Sequence, residues 1–84
     1  MTNIIIQMNS KPLRLNQVRI GRSVRVVRVL GEGALRQRIL DMGLTKNAEV
    51  KVLKMAPFGD PIEITVRGFQ LSLRKAEAAC IEVA

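Results

Sequence analysis

The chain has 84 residues, 48% of them hydrophobic and 25% charged, which fits one globular domain and excludes a disordered segment. It has no histidine and one cysteine, so histidine-based catalytic groups, an internal disulfide and most transition-metal sites are excluded. We therefore expect no enzymatic activity, no cofactor and no metal site, with Cys80 as a small core thiol. The lack of disulfides and of an apolar run of ~18 residues predicts a cytoplasmic location.

The formal net charge of +7 is concentrated between Lys11 and Arg38, where eight basic residues stand against Glu32 alone. From Ile39 to Ala84, six basic and six acidic residues cancel. Such a surplus fits nucleic acid, anionic lipid or an acidic protein surface, or simply a solvated face. Because the chain has only two aromatic side chains on which bases could stack, a protein or membrane partner is at least as well supported as nucleic acid.

The first predicted strand covers Ser23–Leu30, after a poorly specified extension at residues 1–12 in which Ile4–Ile6 is a candidate edge strand. The valines of this strand change phase, which predicts a bend or β-bulge. Val24 and Val26 lie on one side of the strand, and Val27 and Val29 lie on the other. We expect this strand to enter a small barrel.

A helix is predicted at Ala34–Met42, with Leu35, Ile39 and Met42 on one face. Gly43 stands where a helix end favours a left-handed residue, and Leu44 can fold back on the last turn. The other predicted elements are strands at residues 48–55, 62–66, 69–73 and 81–83 and a short helical turn at 74–79. This pattern predicts a mainly β fold, a small barrel with one helix inserted after the first long strand.

The loop Met55–Gly59 is the segment least suited to a bare surface. Prolines restrict its backbone and lower the entropy lost on binding, and Met and Phe are common anchors at protein interfaces. Two interpretations of Phe58 remain open at this point: it anchors a partner, or it caps the end of the barrel. In the following hairpin, Ile62, Ile64 and Val66 point one way, and Phe69, Leu71 and Leu73 repeat the alternation, a period of two typical of half-buried strands. We interpret this hairpin, Ile62–Leu73, mainly as scaffold.

Three sequence blocks resemble the FeoA family of bacterial ferrous-iron transport accessory proteins. They are Leu35–Leu44 (LRQRILDMGL), Met55–Ile62 (MAPFGDPI) and Val66–Lys75 (VRGFQLSLRK), followed by a closing Ile-Glu-Val. The chain departs from the family pattern at Asn47, where Pro-Gly is usual after the helix end. Asn tolerates a left-handed backbone, so we expect the turn to survive.

The resemblance implies an SH3-like barrel of five to six strands over residues 13–84, a fold also found at the C-terminus of DtxR-like metal-dependent repressors. It implies a cytoplasmic protein that binds and modulates FeoB, the membrane iron transporter with a GTPase domain. It also implies transition metal binding, for which the sequence offers no ligand set. The alternative is an SH3-like regulatory or nucleic-acid-binding domain related to the repressors.

The predicted partner is thus a FeoB-like membrane transporter. We expect no specific nucleic-acid binding and membrane contact only through that partner, while weak self-association is left open. The candidate partner-binding residues lie in the apolar loop and in the helix: Met55, Pro57, Phe58, Leu35, Arg36, Arg38 and Met42.

Overall fold

The computed structural model describes residues 13–84, so the extension at residues 1–12 and its candidate strand Ile4–Ile6 lie outside the described residues. The strands are β1 (Leu13–Arg14), β2 (Ser23–Val29), β3 (Glu49–Met55), β4 (Ile62–Val66), β5 (Phe69–Leu73) and β6 (Ile81–Val83). The helices are α1 (Gly33–Asp41) and α2 (Lys75–Ala78), and a 3-10 helix covers Leu15–Gln17.

The six strands form an antiparallel sheet in the order β1-β6-β2-β3-β4-β5. The sheet surrounds a core of Val, Ile, Leu and Ala side chains contributed by five of the strands, by α1 and α2 and by the 3-10 helix. The mainly β fold of six strands, with a helix after the first long strand, is confirmed.

Strand β4 shows why these residues form a sheet. Ile62, Ile64 and Val66 are buried, while Glu63 and Thr65 between them are half-buried on the other face. A period of two and β-branched side chains suit a pleated strand with one face on the core. Each such residue removes apolar surface from water, worth roughly 1.5–3 kcal/mol for a fully buried side chain.

The predicted bulge in β2 is present, but its effect on the side chains differs from the prediction. The register against β6 shifts between Val26 and Arg28. Because the bulge adds one residue to β2, Val29 points to the core like Val24 and Val26 and is buried. Of the four valines in this strand, only Val27 is exposed. The prediction that Val27 and Val29 share a face is therefore wrong.

Helix α1 packs on the core through fewer residues than its sequence pattern predicts. Ile39 is fully buried and Met42 packs partly on the core, but Leu35 is 38% exposed. All four residues of the first turn, Gly33 to Arg36, are exposed, so Leu35 stays accessible to solvent. The helix end follows the prediction, since Gly43 has φ +95° and Leu44 is fully buried.

The turn that leads into β3 also follows the prediction. Asn47 adopts φ +71°, the left-handed conformation expected for it. The backbone N–H of Asn47 donates to the Val26 carbonyl at 2.8 Å, and Val26 donates to the Ala48 carbonyl at 2.9 Å. These two bonds fix the start of β3 beside β2. No helix among residues 13–84 is long and apolar enough to cross a membrane.

Candidate partner-binding surface

The connection between β3 and β4 is a compact loop held by its own backbone. The N–H of Gly59 donates to the carbonyl of Ala56 at 2.7 Å, which closes a turn with Pro57 and Phe58 at its two central positions. The N–H of Ala56 donates to the carbonyl of Pro61 at 3.0 Å, so the base of the loop is closed as well. Proline at the second position fixes φ in advance, and Gly59 supplies a positive φ of +76°.

Phe58 lies at the tip of this loop with 91% of its surface exposed. The interpretation of Phe58 as a cap on the barrel end is therefore wrong, because a capping ring would be largely buried. Met55, at the end of β3, is half-buried and packs against the core. A partner that covered Phe58 would remove a whole aromatic ring from water without disturbing the core.

The two candidate arginines of α1 differ in their surroundings. Arg38 is exposed, and its Nε lies 3.3 Å from Oε2 of Glu77, whose side chain is only 6% exposed. The same carboxylate accepts a hydrogen bond from the backbone N–H of Arg74 at 2.8 Å, so this buried charge is paired and capped. Arg36 is exposed, and no salt bridge or hydrogen bond joins its side chain to another of the described residues. Arg36 is thus available to a partner, whereas Arg38 also stabilises the fold.

Arg38 and the base of the loop line one groove of about 420 Å³. Its lining residues are Arg38, Asp60, Pro61, Ser72, Leu73, Arg74 and Glu77. Asp60 closes the loop side of the groove, because its Oδ1 accepts a hydrogen bond from the backbone N–H of Lys75 at 3.0 Å. The structure therefore brings the helix and the loop together through Arg38 and Pro61, which the sequence could not establish.

Leu35 belongs to a different neighbourhood. A side chain added at Gly31 would lie 3.9 Å from Leu35 and 3.7 Å from the sulfur of Cys80, so these three residues adjoin one another. Cys80 is half-buried and packs against the core, as expected for a core thiol. Six of the seven candidate residues thus fall into two groups, the loop with Arg38 and the first turn of α1. Met42 belongs to neither, since it is half-buried at the end of α1.

Sequence reasoning missed the exposure of Phe69. Its pattern placed Phe69 with Leu71 and Leu73 on one inward face, but Phe69 is 70% exposed and only Leu73 is fully buried. Phe69 lies in the edge strand β5, whereas its partner Val66 in β4 is buried. The local sequence has no signal for this difference, because alternation does not show which strand ends the sheet.

A second groove, of about 820 Å³, runs along the outer face of the sheet. It is lined by the exposed basic side chains Lys46, Lys51 and Arg67, with Glu49 as its acidic residue. Arg67 is held in place because Nε donates to the Gly43 carbonyl at 3.2 Å and Nη2 donates to Thr45 Oγ1 at 2.7 Å. Within residues 13–84, no group of three or more His, Cys, Asp or Glu side chains could hold a metal ion.

Comparison with known proteins decides the family. The model of the FeoA domain matches residues 13–84, which is the whole of the described fold. The chain belongs to the FeoA domain family.

Two relatives show how closely FeoA proteins share this sequence and fold. A Porphyromonas gingivalis protein, the Fe(2+) transport protein A/Fe(2+) transporter FeoB fusion protein, is 38% identical over 71 residues. That alignment covers 84% of this chain but only 8% of the fusion protein's length. The solution structure of the FeoA-like protein from Clostridium acetobutylicum is 41% identical, with a TM-score of 0.82 over 89% of this chain and 87% of that one.

The SH3-like class of the fold is confirmed by FeoA of Stenotrophomonas maltophilia, which was solved in complex with zinc and is described as a procaryotic SH3 domain protein. It is 25% identical, with a TM-score of 0.77 over 86% of this chain and 89% of that one. A manganese-dependent transcriptional repressor also shares the fold, with a TM-score of 0.79 at 19% identity over 89% of this chain and 43% of that one. The predicted fold relationship with metal-dependent repressors is confirmed.

Proposed function

We propose that this FeoA-family chain is a small cytoplasmic accessory protein of bacterial ferrous iron uptake. In this proposal it binds and modulates a FeoB-like membrane transporter with a GTPase domain, without turning over a substrate. Residues 13–84 form the binding domain and residues 1–12 an extension to it. The observation that carries the proposal is the Porphyromonas gingivalis relative, in which an FeoA-like region and FeoB are parts of one polypeptide.

The loop Ala56–Pro61 is the best-supported contact surface. Its two backbone hydrogen bonds and Pro57 hold the turn in one shape, so little conformational entropy remains to be lost on binding. Phe58 supplies the exposed aromatic side chain, and Arg38 supplies positive charge in the adjoining groove. A rigid aromatic anchor beside a charged rim is typical of an interface hot spot.

The remaining candidates form a second contact in this proposal. Leu35 and Arg36 lie in the first turn of α1, where both are exposed. Met42 and Met55 are half-buried and pack against the core, so a partner would reach only part of each side chain.

Binding of the purified cytoplasmic part of the transporter, with GDP and with a non-hydrolysable GTP analogue, tests the proposal. We expect binding by the wild-type chain in calorimetry and about tenfold or more weaker binding by Phe58→Ala, as for an interface hot spot. Ile20→Ala is a matched control, because Ile20 is an exposed apolar residue outside the loop and the groove. We expect it to bind like the wild type.

Absence of wild-type binding at tens of micromolar in both nucleotide states would contradict the proposed function. Equal binding by Phe58→Ala and the wild type would remove the loop from the interface. Thermal unfolding of Phe58→Ala separates a binding effect from loss of fold, and we expect its stability to stay within about 0.5 kcal/mol of the wild type, as for an exposed position.

The second candidate function is a regulatory, nucleic-acid-binding domain, and the basic outer groove with Lys46, Lys51 and Arg67 favours it. Binding of this kind would weaken steeply with salt, because it releases counterions from phosphates. Retention of an oligonucleotide in a gel shift at low salt, lost between 50 and 200 mM as phosphate contacts predict, would support this candidate. We expect no retention.

A further inference from the structure

Strand β5 ends the sheet and leaves one of its edges unpaired. It pairs with β4 from Ile62↔Leu73 to Val66↔Phe69, and no strand within residues 13–84 pairs with its other side. Phe69, Gln70 and Ser72 are exposed, so described residues do not cover this edge. An unpaired edge presents backbone N–H and C=O groups to which another strand can add.

The hairpin geometry identifies which backbone groups point outward. Arg67 and Gly68 form a two-residue turn, so the flanking Val66 and Phe69 exchange backbone hydrogen bonds. From this pair onward, hydrogen-bonded and non-hydrogen-bonded residue pairs alternate along the two strands. Leu71 therefore bonds to β4, while the N–H and C=O groups of Gln70 and Ser72 point away from it. The same alternation places the N–H of Val52 on the β2 side of β3, where it donates to the Arg22 carbonyl at 3.1 Å.

This edge lacks the features that normally prevent strand addition. Natural edge strands carry charged residues or proline, or are very short. The segment Phe69–Leu73 reads FQLSL, with neither charge nor proline over five residues. The opposite edge of the sheet, β1, has only two residues. The edge of β5 is thus longer than that of β1, uncharged, and beside the exposed Phe69, so it can accept an added strand.

The charges around the edge indicate the chemistry of its occupant. The groove at the end of β5 contains Arg38, Arg74, Asp60 and Glu77. Both of its carboxylates are engaged within the fold, Asp60 by the Lys75 N–H and Glu77 by Arg38 and the Arg74 N–H. Lys75 follows Arg74 directly, and both side chains are exposed. Counting Lys75, this end of β5 has three positive side chains against the two carboxylates, so its net charge is positive and an acidic residue fits it.

A second copy of the chain fits this edge poorly. In an antiparallel pair of two β5 strands centred on Leu71, Arg67 of one copy would approach Lys75 of the other. Like charges facing across a strand pair are destabilising. The net charge of +7 per chain adds to the repulsion.

We propose that the free edge of β5 binds an extended segment of the transporter's cytoplasmic part, which adds as a seventh strand and places an acidic side chain beside Arg74. Backbone hydrogen bonds to Gln70 and Ser72 supply affinity, and an apolar side chain beside Phe69 supplies specificity, as in other cases of strand addition. This inference rests on the proposed function and names a contact additional to the loop at Phe58. The segment enters the groove that adjoins Pro61, so both contacts lie on one continuous surface.

The test compares Ser72→Pro with Ser72→Ala. Proline removes the outward N–H while leaving the bonds of Leu71 and Leu73 to β4 in place, and alanine keeps the N–H. With the same cytoplasmic part of the transporter, we expect Ser72→Pro to bind about tenfold or more weakly, since it loses a backbone bond and adds a clash. We expect Ser72→Ala to bind within about twofold of the wild type, as a control that keeps the backbone donor.

Amide hydrogen exchange on the wild-type chain gives a second readout that does not depend on a variant's folding. We expect the N–H groups of Gln70 and Ser72 to exchange fast in the free chain and about tenfold or more slowly in the complex, while that of Leu71 is slow in both. Unchanged binding by Ser72→Pro together with unchanged exchange would overturn the inference. If Phe58→Ala still weakens binding in that case, the proposed function stands.

Two other outcomes also decide against strand addition by the transporter. If the wild type does not bind the cytoplasmic part at all, the proposed function fails and this inference fails with it. If Gln70 and Ser72 become protected with rising concentration of the chain alone, the edge is occupied by a second copy instead.

Discussion

The two connections that flank β4 are built in opposite ways. The loop Ala56–Pro61 before the strand is closed by its own backbone and leaves Phe58 fully outward. The turn Arg67–Gly68 after the strand has two residues, and the side chain of Arg67 reaches back to the end of α1. One connection presents a side chain to solvent, and the other uses a side chain to hold the hairpin against the helix.

The two connections differ in whether a residue other than glycine adopts a positive φ. The loop uses Gly59 for its positive φ, so no side chain is strained there. The turn instead has Arg67 at φ +50°, a position where Asn, Asp or Gly is preferred. An arginine in this conformation is stabilised by its bonds to Gly43 and Thr45. Exposure alone therefore does not mark a functional residue. Arg67 is exposed but holds the hairpin through two hydrogen bonds, whereas Phe58 is 91% exposed and contributes little to packing.

Arg67→Ala tests the structural role of the turn and has the largest expected effect on the free energy of unfolding. It removes two side-chain hydrogen bonds and keeps the unfavourable positive φ, so we expect a loss of about 1–2 kcal/mol in the free energy of unfolding. Urea denaturation measures this loss. Arg67→Asn restores a residue suited to the turn without restoring the contacts to α1, and we expect it to lose less than half as much.

The two Arg67 variants should lower stability without lowering affinity for the transporter's cytoplasmic part. We expect affinity within about twofold of the wild type once the protein is folded, as for a residue outside the anchoring contacts. A strong loss of binding with normal stability would assign the turn to the interface and remove the distinction between the two connections.

The sequence predicted the parts of this molecule that depend on neighbouring residues. The alternation of Ile62, Ile64 and Val66 and the left-handed Asn47 are local signals, and both predictions are confirmed. The inward return of Val29 depends on a register shift against β6, and the exposure of Phe69 accompanies the position of β5 at the edge of the sheet. Those features are set by strands distant in sequence, so the local pattern could not reveal them.

The candidate surface shows the same division. The prolines and Phe58 stand together in the sequence, so the loop was predicted as a unit. The groove that joins Arg38 to Pro61 forms only when α1, the loop and the end of β5 meet, and Glu77 completes it from α2.

Asp60→Ala has an intermediate effect, because it releases the base of the loop from α2. Its Oδ1 accepts the N–H of Lys75, the first residue of α2, so it acts as a cap supplied from outside the helix. We expect a loss of about 1 kcal/mol in the free energy of unfolding, as for loss of a helix cap. Asp60→Asn retains an acceptor oxygen and is the matched control, with a smaller loss in the same urea titration.

The loop should become more mobile in Asp60→Ala while Phe58 remains present. We expect a modest loss of affinity for the transporter's cytoplasmic part, about threefold, because the loop must then be ordered on binding. Tighter binding by Asp60→Ala would mean that the closed loop opposes the partner and that the resting shape described above is not the bound one.

Pro57→Ala sharpens the comparison with the smallest change. Pro57 is exposed, so alanine removes little packing, but it frees the backbone of the unfolded chain at this position. We expect a loss of about 0.5 kcal/mol in the free energy of unfolding, since proline at a compatible position stabilises by roughly 0.4–1 kcal/mol through the unfolded state. Affinity should fall by no more than about threefold, because the bond from Gly59 to Ala56 still closes the turn. If Pro57→Ala weakened binding as much as Phe58→Ala, the ring of Pro57 would itself contact the partner, and the loop would bind through two adjacent side chains.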